Sequence, residues 1–383
     1  MSPIIILGSG LAGYNVAKEL RKTDKDTPLT VISADSGYFY SKPMLSNALA
    51  QKKAPAAIAL NTAEQMATQL NATVRKQTRV TAINPAAHTL QIGDETLAYS
   101  RLVLALGADQ IRLPISGDAA NRIITVNDLD DYGRFHELLA GKREKRVAII
   151  GAGLIGSEFA NDLVVAGHQV EVIDIANQPL GRLLPVEGGA MVRDKLQAMG
   201  VAWHFGTGTQ SVDGDGAAIK VTLENGTTLA ADIVLSAVGL KPRIALAQAA
   251  GLKVNRGIVV NKNLQTSDPD IYALGDCMEI EGLVMPFVMP IMHAARALGA
   301  TLAGKPTPVS FPAMPVLVKT PACPTIVSPP APGAAGEWQV EAGAEGIKSL
   351  FVDASGKLLG FALNGAATAE RAKLLPLLPA VLA

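Results

Sequence analysis

The feature that most limits how this chain can fold is a glycine pattern that occurs twice. "IIILGSGLAGYNVAKEL" begins at residue 4, and "VAIIGAGLIGSEFANDLVVAGHQVEVID" begins at residue 147. Each copy places an apolar, β-branched run before GxGxxG and a helix-period segment after it, the strand–turn–helix context in which the pattern binds a dinucleotide. Gly8 and Gly151 permit the tight turn, Gly10 and Gly153 let backbone approach a pyrophosphate, and Gly13 and Gly156 let the helix pack closely on the strand. The amides of Ser9, Gly10, Leu11 and Ala12 then face the phosphates. A helix start offers unpaired N–H groups and about half a positive charge, so an anion binds there without needing a lysine.

The second copy brings its own acid. "VEVID" ends in Asp174, close to the ~20-residue offset at which a carboxylate hydrogen-bonds an adenosine ribose. Asp174 favours NAD over NADP, because a 2′-phosphate would meet a like charge and "DIANQPLGR" supplies no basic cluster to offset it. The first copy is less regular: "LTVIS" puts Ser33 at the ribose position, with Asp35 two residues on. Either Ser33 and Ala34 read the adenosine by hydroxyl and backbone, or the longer loop "TDKDTP" shifts the frame and Asp35 does so.

A chain of 383 residues has room for two to three domains. Charged residues make up 18%, with 34 of each sign, so no global field selects nucleic acid or a membrane surface as partner. Two cysteines, Cys277 and Cys323, form neither a disulfide framework nor a metal-ligand spacing, which suits a reducing cytoplasm and predicts no metal. The start "PIIIL" lacks a basic n-region and reads as a buried strand rather than a signal peptide. No apolar run reaches the ~18 residues of a membrane span.

Around the second fingerprint, "RLVLALGADQIRLP" before it and "GIVVNKNLQTSDPDIYALGDC" after it bracket an insertion. Over nearly its whole length the chain resembles the two-dinucleotide flavoproteins named after pyridine nucleotide-disulfide oxidoreductases. That resemblance implies an α/β fold of two Rossmann-like dinucleotide-binding domains, the second inserted into the first, plus a small C-terminal α+β domain. The expected limits are 1–112 with 245–312 for an FAD domain, 113–244 for an NAD domain, and 313–383 for the last. "TSDPDIYALGDC" resembles the family's second FAD motif, in which Asp276 meets the ribityl chain. By the same resemblance Gly107 and Val288 lie beside FAD, the helix in "MPFVMPIMHAARALG" points at the flavin, and the backbone at Val80 touches the adenine.

Disulfide-reducing relatives carry a cysteine pair where this chain has "YFYSKPMLSNAL", with no cysteine. Cys277 and Cys323 are far apart in sequence and sit in no CxxC setting, so both read as structural. Electrons arriving as hydride from NADH must then leave the flavin directly, and a flavin can release them singly to a one-electron carrier. "YSKPMLS", "GLKPRIALAQAAGLKVNRGIVV" and "VKTPACPTIVSPP" resemble the rubredoxin reductase branch, which implies rubredoxin or a similar small iron carrier as a transient, electrostatic partner. The resemblance further implies that Lys42 lies near the flavin's reactive edge and pairs with Glu158, and that Lys319 reaches the flavin from the C-terminal domain. Acidic partners of that kind call for a basic rim, for which Lys42 and "QKK" at 51–53 are candidates; "GKREKR" at 141–146 reads as the polar entry to a strand. Rival readings are a ferredoxin or flavorubredoxin reductase, and a flavoprotein whose role is to sense NADH or bind a partner. An NADH oxidase or peroxidase working through a cysteine sulfenic acid is disfavoured by the missing cysteine.

Overall fold

The computed structural model describes residues 2–141 and 144–383. Two parallel five-stranded sheets share one plan. The first runs Ile271–Ala273, Arg101–Leu104, Ile4–Leu7, Leu29–Ile32, Thr73–Arg75, and the second runs Ile123–Ile124, Ile233–Ser236, Arg146–Ile150, Gln169–Asp174, Val201–Phe205. In each, the strand before the fingerprint is central, and from it the chain adds two strands on one side before returning to the other; the far edge strand comes last in the first sheet and first in the second. The order therefore reverses beside that strand, which opens a crevice at its C-terminal end. Ile4–Leu7 is buried along its whole length, as a parallel strand covered on both faces must be.

The second sheet lies between residues 123 and 236, while the first takes its last strand from Ile271–Ala273, so the second unit is inserted in the first. The outgoing and returning connections pair side by side as an antiparallel ribbon, Ala108–Gln110 against Leu240–Pro242. A third sheet is antiparallel, in the order Val316–Val318, Thr325–Ser328, Leu358–Gly365, Gly346–Val352, Glu337–Ala342. The proline-rich stretch after Ser328 is the loop to its edge strand. The expected last helix is short, Arg371–Leu374 between two 3-10 turns.

One apolar core joins the three parts. Around the second sheet it gathers Phe135, Phe159 and Val172, and it takes in Leu45 and Ile58 from the first unit with Val327 from the third. Burying each such large side chain contributes about 1.5–3 kcal/mol, so the units are held by packing as well as by polar contacts. Of the basic run at 141–146, Lys142 and Arg143 lie outside the described residues; Arg146 opens the central strand and pairs with Asp232 at 2.9 Å.

Candidate functional site

Both crevices open into one cavity of about 3020 Å³, lined by both fingerprints, the ribbon and the start of the third sheet. Its volume is several times that of a pocket for one small ligand, about 300–1,000 Å³, and suits two dinucleotides. The glycines shape its wall. At Gly8 (φ +115°) a Cβ would sit 2.1 Å from the Ala105 carbonyl oxygen, and at Gly13 one would sit 1.9 Å from that of Gly8. Gly10 and Gly153 meet nothing within 4 Å, so bare backbone faces the cavity at the start of helices Leu11–Arg21 and Leu154–Val165. Neither helix has a side-chain cap or an acid in its first turn, leaving its end amides for an anion.

Asp174 ends its strand beside the second fingerprint and accepts hydrogen bonds from the amides of Ala152 (2.5 Å) and Ala176 (2.7 Å). In the first copy Ser9 takes the place of Ala152, and its hydroxyl donates to Asp35 at 3.0 Å. Asp35 also accepts from the Ser33 hydroxyl and the Gly37 amide, and the Ser33 and Ser9 oxygens lie 2.7 Å apart beside it. By strand register Ser33 holds the place that Asp174 holds in the other copy, and Asp35, two residues on, reaches back to the fingerprint through the Ser9 hydroxyl. The Gln77 and Thr78 amides donate to the carbonyls of Asp35 and Ser33, which brings the half-buried Val80 onto the same wall.

Lys42 opens the 3-10 turn Lys42–Ser46, with Pro43 setting its first dihedral. Its ammonium does not pair with Glu158, as the resemblance implied. It donates to Asn127 Oδ1 at 2.8 Å and lies 3.8 Å from Asp276. Burial pulls the Lys42 pKa below the usual lysine value, with Asp276 opposing; burial pushes the Asp276 carboxyl up, with Lys42 and Arg243 opposing. Gly107 and Val288 line the same cavity, Val288 as the first residue of helix Val288–Leu302.

Glu158 has another lysine. Its side chain is 1% exposed and accepts from the Lys319 ammonium, the Ser46 hydroxyl and, at 2.9 Å, the Lys319 amide; Lys319 Nζ also reaches Ser46 Oγ at 3.1 Å. The loop after the third sheet's edge strand thus occupies the place assigned to Lys42. Residues three and four positions on share that helix face. Asn161 accepts from the Ala322 amide at 3.2 Å, and Asp162 takes the amides of Leu49 (3.0 Å) and Ala50 (2.8 Å) on separate oxygens. The second fingerprint helix therefore clamps the other two units by one row of buried polar side chains.

Sequence reasoning missed Ser46, Asn127, Asn161 and Asp162. For Asn161 and Asp162 there was a signal: "SEFAND" puts polar residues at i, i+3 and i+4 of an otherwise apolar helix, and all are buried. Nothing local marked Asn127 or Ser46. Gln51, Lys52 and Lys53 do not line the cavity, whereas the cations on its wall include Lys42, Arg134, Arg243, Lys319 and Arg371.

Asp162→Asn keeps one acceptor and turns an amide nitrogen toward a backbone N–H. We expect a loss of about 1–3 kcal/mol in thermal or denaturant unfolding, the range for an unsatisfied buried donor; unchanged stability would remove Asp162 from the clamp.

Both cysteines are buried and free. Burial pushes the Cys277 thiol up to about 11 and raises Cys323 as well, the opposite of a reactive thiolate. Cys277 Sγ lies 3.4 Å from the carbonyl oxygens of Leu104 and Leu274, acceptors a serine hydroxyl could also use. Cys277→Ser is accordingly expected to keep NADH-driven turnover within about twofold of the parent; lost turnover with flavin still bound would revive a thiol mechanism. Among the described residues there is no cluster of three or more metal-ligand side chains, and no helix is long and apolar enough to cross a membrane.

A family model described as pyridine nucleotide-disulphide oxidoreductase matches residues 2–299, and one described as rubredoxin binding C-terminal domain matches 308–378. The rubredoxin-NAD(+) reductase of Alcanivorax borkumensis is 47% identical over 383 residues, and that of Acinetobacter baylyi 48% identical over 393, each match covering all of both chains. Among solved structures, the covalent putidaredoxin reductase–putidaredoxin complex superposes with a TM-score of 0.87 at 27% identity, covering 99% of this chain and 94% of that one.

Proposed function

Since the chain belongs to the pyridine nucleotide-disulphide oxidoreductase family, we propose that it is an NADH:rubredoxin oxidoreductase using FAD, with hydride in and single electrons out. The observation that carries this reading is the third unit: its segment matches a rubredoxin-binding domain, and its Lys319 reaches into the dinucleotide cavity to meet Glu158. FAD, when bound, supplies the conversion of a two-electron hydride into single electrons, which neither buried thiol can do.

The chain's own residues bind, orient and set charge. The first fingerprint and Asp35, with Ser33 beside it, hold the adenosine half of FAD; Val80 borders the adenine, and Asp276 accepts from the ribityl hydroxyls. The second fingerprint and Asp174 hold NADH. Lys42 keeps a positive charge near the ring, where preorganised charge in a dry site favours the negative charge that hydride delivery brings. Glu158 holds Lys319 and the Ser46 turn, and with them the wall against which the nicotinamide is placed. Residues 1–112 with 245–312 form the FAD unit, 113–244 the NAD unit, and 313–383 the partner unit. Two buried, unpaired thiols fit a reducing cytoplasm.

The test is NADH oxidation by the yellow protein with rubredoxin, with a plant-type ferredoxin, or with no carrier, at low and high salt. Large stimulation by rubredoxin alone, weakened by salt, is expected, because complementary charge acts mainly on the association rate. Rapid flavin reduction with no stimulation by rubredoxin would contradict the assigned acceptor.

A further inference from the structure

Lys42 meets a neutral acceptor before it meets a carboxylate: Asn127 Oδ1 is at 2.8 Å and Asp276 at 3.8 Å. Asn127 is itself fixed. Its Nδ2 donates to the Ala108 carbonyl at 2.9 Å, and its backbone N–H donates to Asp131 at 2.9 Å. A carbonyl can only accept, so the nitrogen must face Ala108 and the oxygen must face Lys42; the amide cannot flip without losing both contacts. The supports come from separate elements. Ala108 lies in the ribbon between the two sheets, Asp131 in helix Leu129–Leu139, and the next turn of chain is tied to the first unit where the Leu129 amide donates to Tyr40 Oη at 3.1 Å.

We propose that Asn127 is the positioning residue of the site: it aims the Lys42 ammonium into the cavity and preserves its charge by giving it an acceptor that does not neutralise it. The proposal rests on the reading of Lys42 as the cation near FAD. An acidic residue at 127 would offset the charge, and an apolar one would leave the partly exposed ammonium without its nearest acceptor. The other charged groups facing Lys42 are Asp276 from the second FAD motif, Arg243 after the ribbon, and Asp128 and Asp131 at the start of helix Leu129–Leu139.

The test uses FAD-loaded Asn127→Leu, Asn127→Asp and Lys42→Met. Lysine-selective 15N NMR follows the Lys42 titration, with the Lys42→Met spectrum supplying the assignment. Asn127→Leu removes a hydrogen bond to the charged form and should lower the titration point; Asn127→Asp adds an opposite charge and should raise it, each by about one pH unit. The alkaline limb of anaerobic flavin reduction by NADH should move in the same two directions. A merely structural role would not move the two variants oppositely. Both variants shifting the same way, or an unmoved Lys42 in Asn127→Leu alone should Asn127→Asp fail to fold, overturns the proposal. Lys42→Met reducing its flavin at the parent rate and pH profile would overturn the reading of Lys42 as well, whereas a clear Lys42→Met defect beside unshifted Asn127 variants overturns the proposal alone.

Discussion

Glu158→Gln should slow anaerobic flavin reduction by NADH by on the order of 10- to 100-fold, while FAD content stays near that of the parent. Removing one preorganised polar group from a water-excluding site costs about 10²–10³ in rate. A smaller effect is expected here because glutamine keeps its oxygen for the Lys319 amide, while its nitrogen replaces the oxygen that accepts from the Lys319 ammonium and the Ser46 hydroxyl. With that charge gone, the Lys319 ammonium and the Ser46 hydroxyl lose their common partner. Lys319 is 22% exposed and can turn toward water, so the effect falls on geometry at the nicotinamide more than on stability. FAD is expected to stay because Asp35, Asp276 and the first fingerprint are untouched. Stopped-flow reduction with a parallel flavin-to-protein ratio checks both halves. Unchanged reduction kinetics would return Glu158 to a purely structural role as a tie between units.

The second large effect is on nucleotide choice. Asp174→Ala should cut the ratio of kcat/KM for NADH over NADPH by on the order of 10- to 100-fold, each factor of ten being about 1.4 kcal/mol. Two terms act in the same direction. The carboxylate that would accept from the ribose is lost, weakening NADH, and the charge that repels a 2′-phosphate goes with it, strengthening NADPH. Asp174 also accepts the Ala152 amide in the structure, so the variant frees a fingerprint N–H for solvent or ligand. Steady-state kinetics with both nucleotides measures the ratio; an unchanged ratio would sink the assignment of Asp174.

How far the sequence carried these conclusions depends on the range of each contact. The two fingerprints are local: strand, turn and helix follow one another within about 20 residues, so both central strands and the roles of Gly8 and Gly13 could be read directly. The inserted order was legible because the flanking stretches at 101–114 and 257–277 belong to one motif set split by the second unit. The frame of the first ribose site was open in sequence, since Ser33 and Asp35 both fit the offset. In the structure they share one hydrogen-bond group: Ser33 holds the register position of Asp174, and Asp35 joins it to the Ser9 hydroxyl.

Partner choice was not legible. Lys42 and Lys319 are both cations near the cavity, and no local pattern says which of them Glu158 takes. The distinction is tertiary: the Thr320–Cys323 turn packs against the second fingerprint helix through the Ala322 amide and Asn161, and that brings Lys319, not Lys42, onto Glu158. Asn127 escaped notice for the same reason. A polar residue just before a helix is ordinarily a cap, yet here Asp128 caps the helix and leaves the Asn127 side chain free for Lys42. Of the two candidates for a basic rim, Lys42 lines the cavity wall and "QKK" does not. Lys52 and Lys53 are close to Lys42 in sequence, but the turn after Ser46 carries them away from the cavity wall.

Electron splitting is the central property of this protein, and the measurement that tests it most directly is stoichiometry. Under anaerobic conditions, a limiting amount of NADH is added to the FAD-loaded protein with excess oxidised rubredoxin, and reduced rubredoxin is counted by its loss of visible absorbance. Two rubredoxins reduced per NADH, at a rate far above that of NADH oxidation without the carrier, is the predicted result. Complete flavin reduction with no rubredoxin reduced would contradict the account.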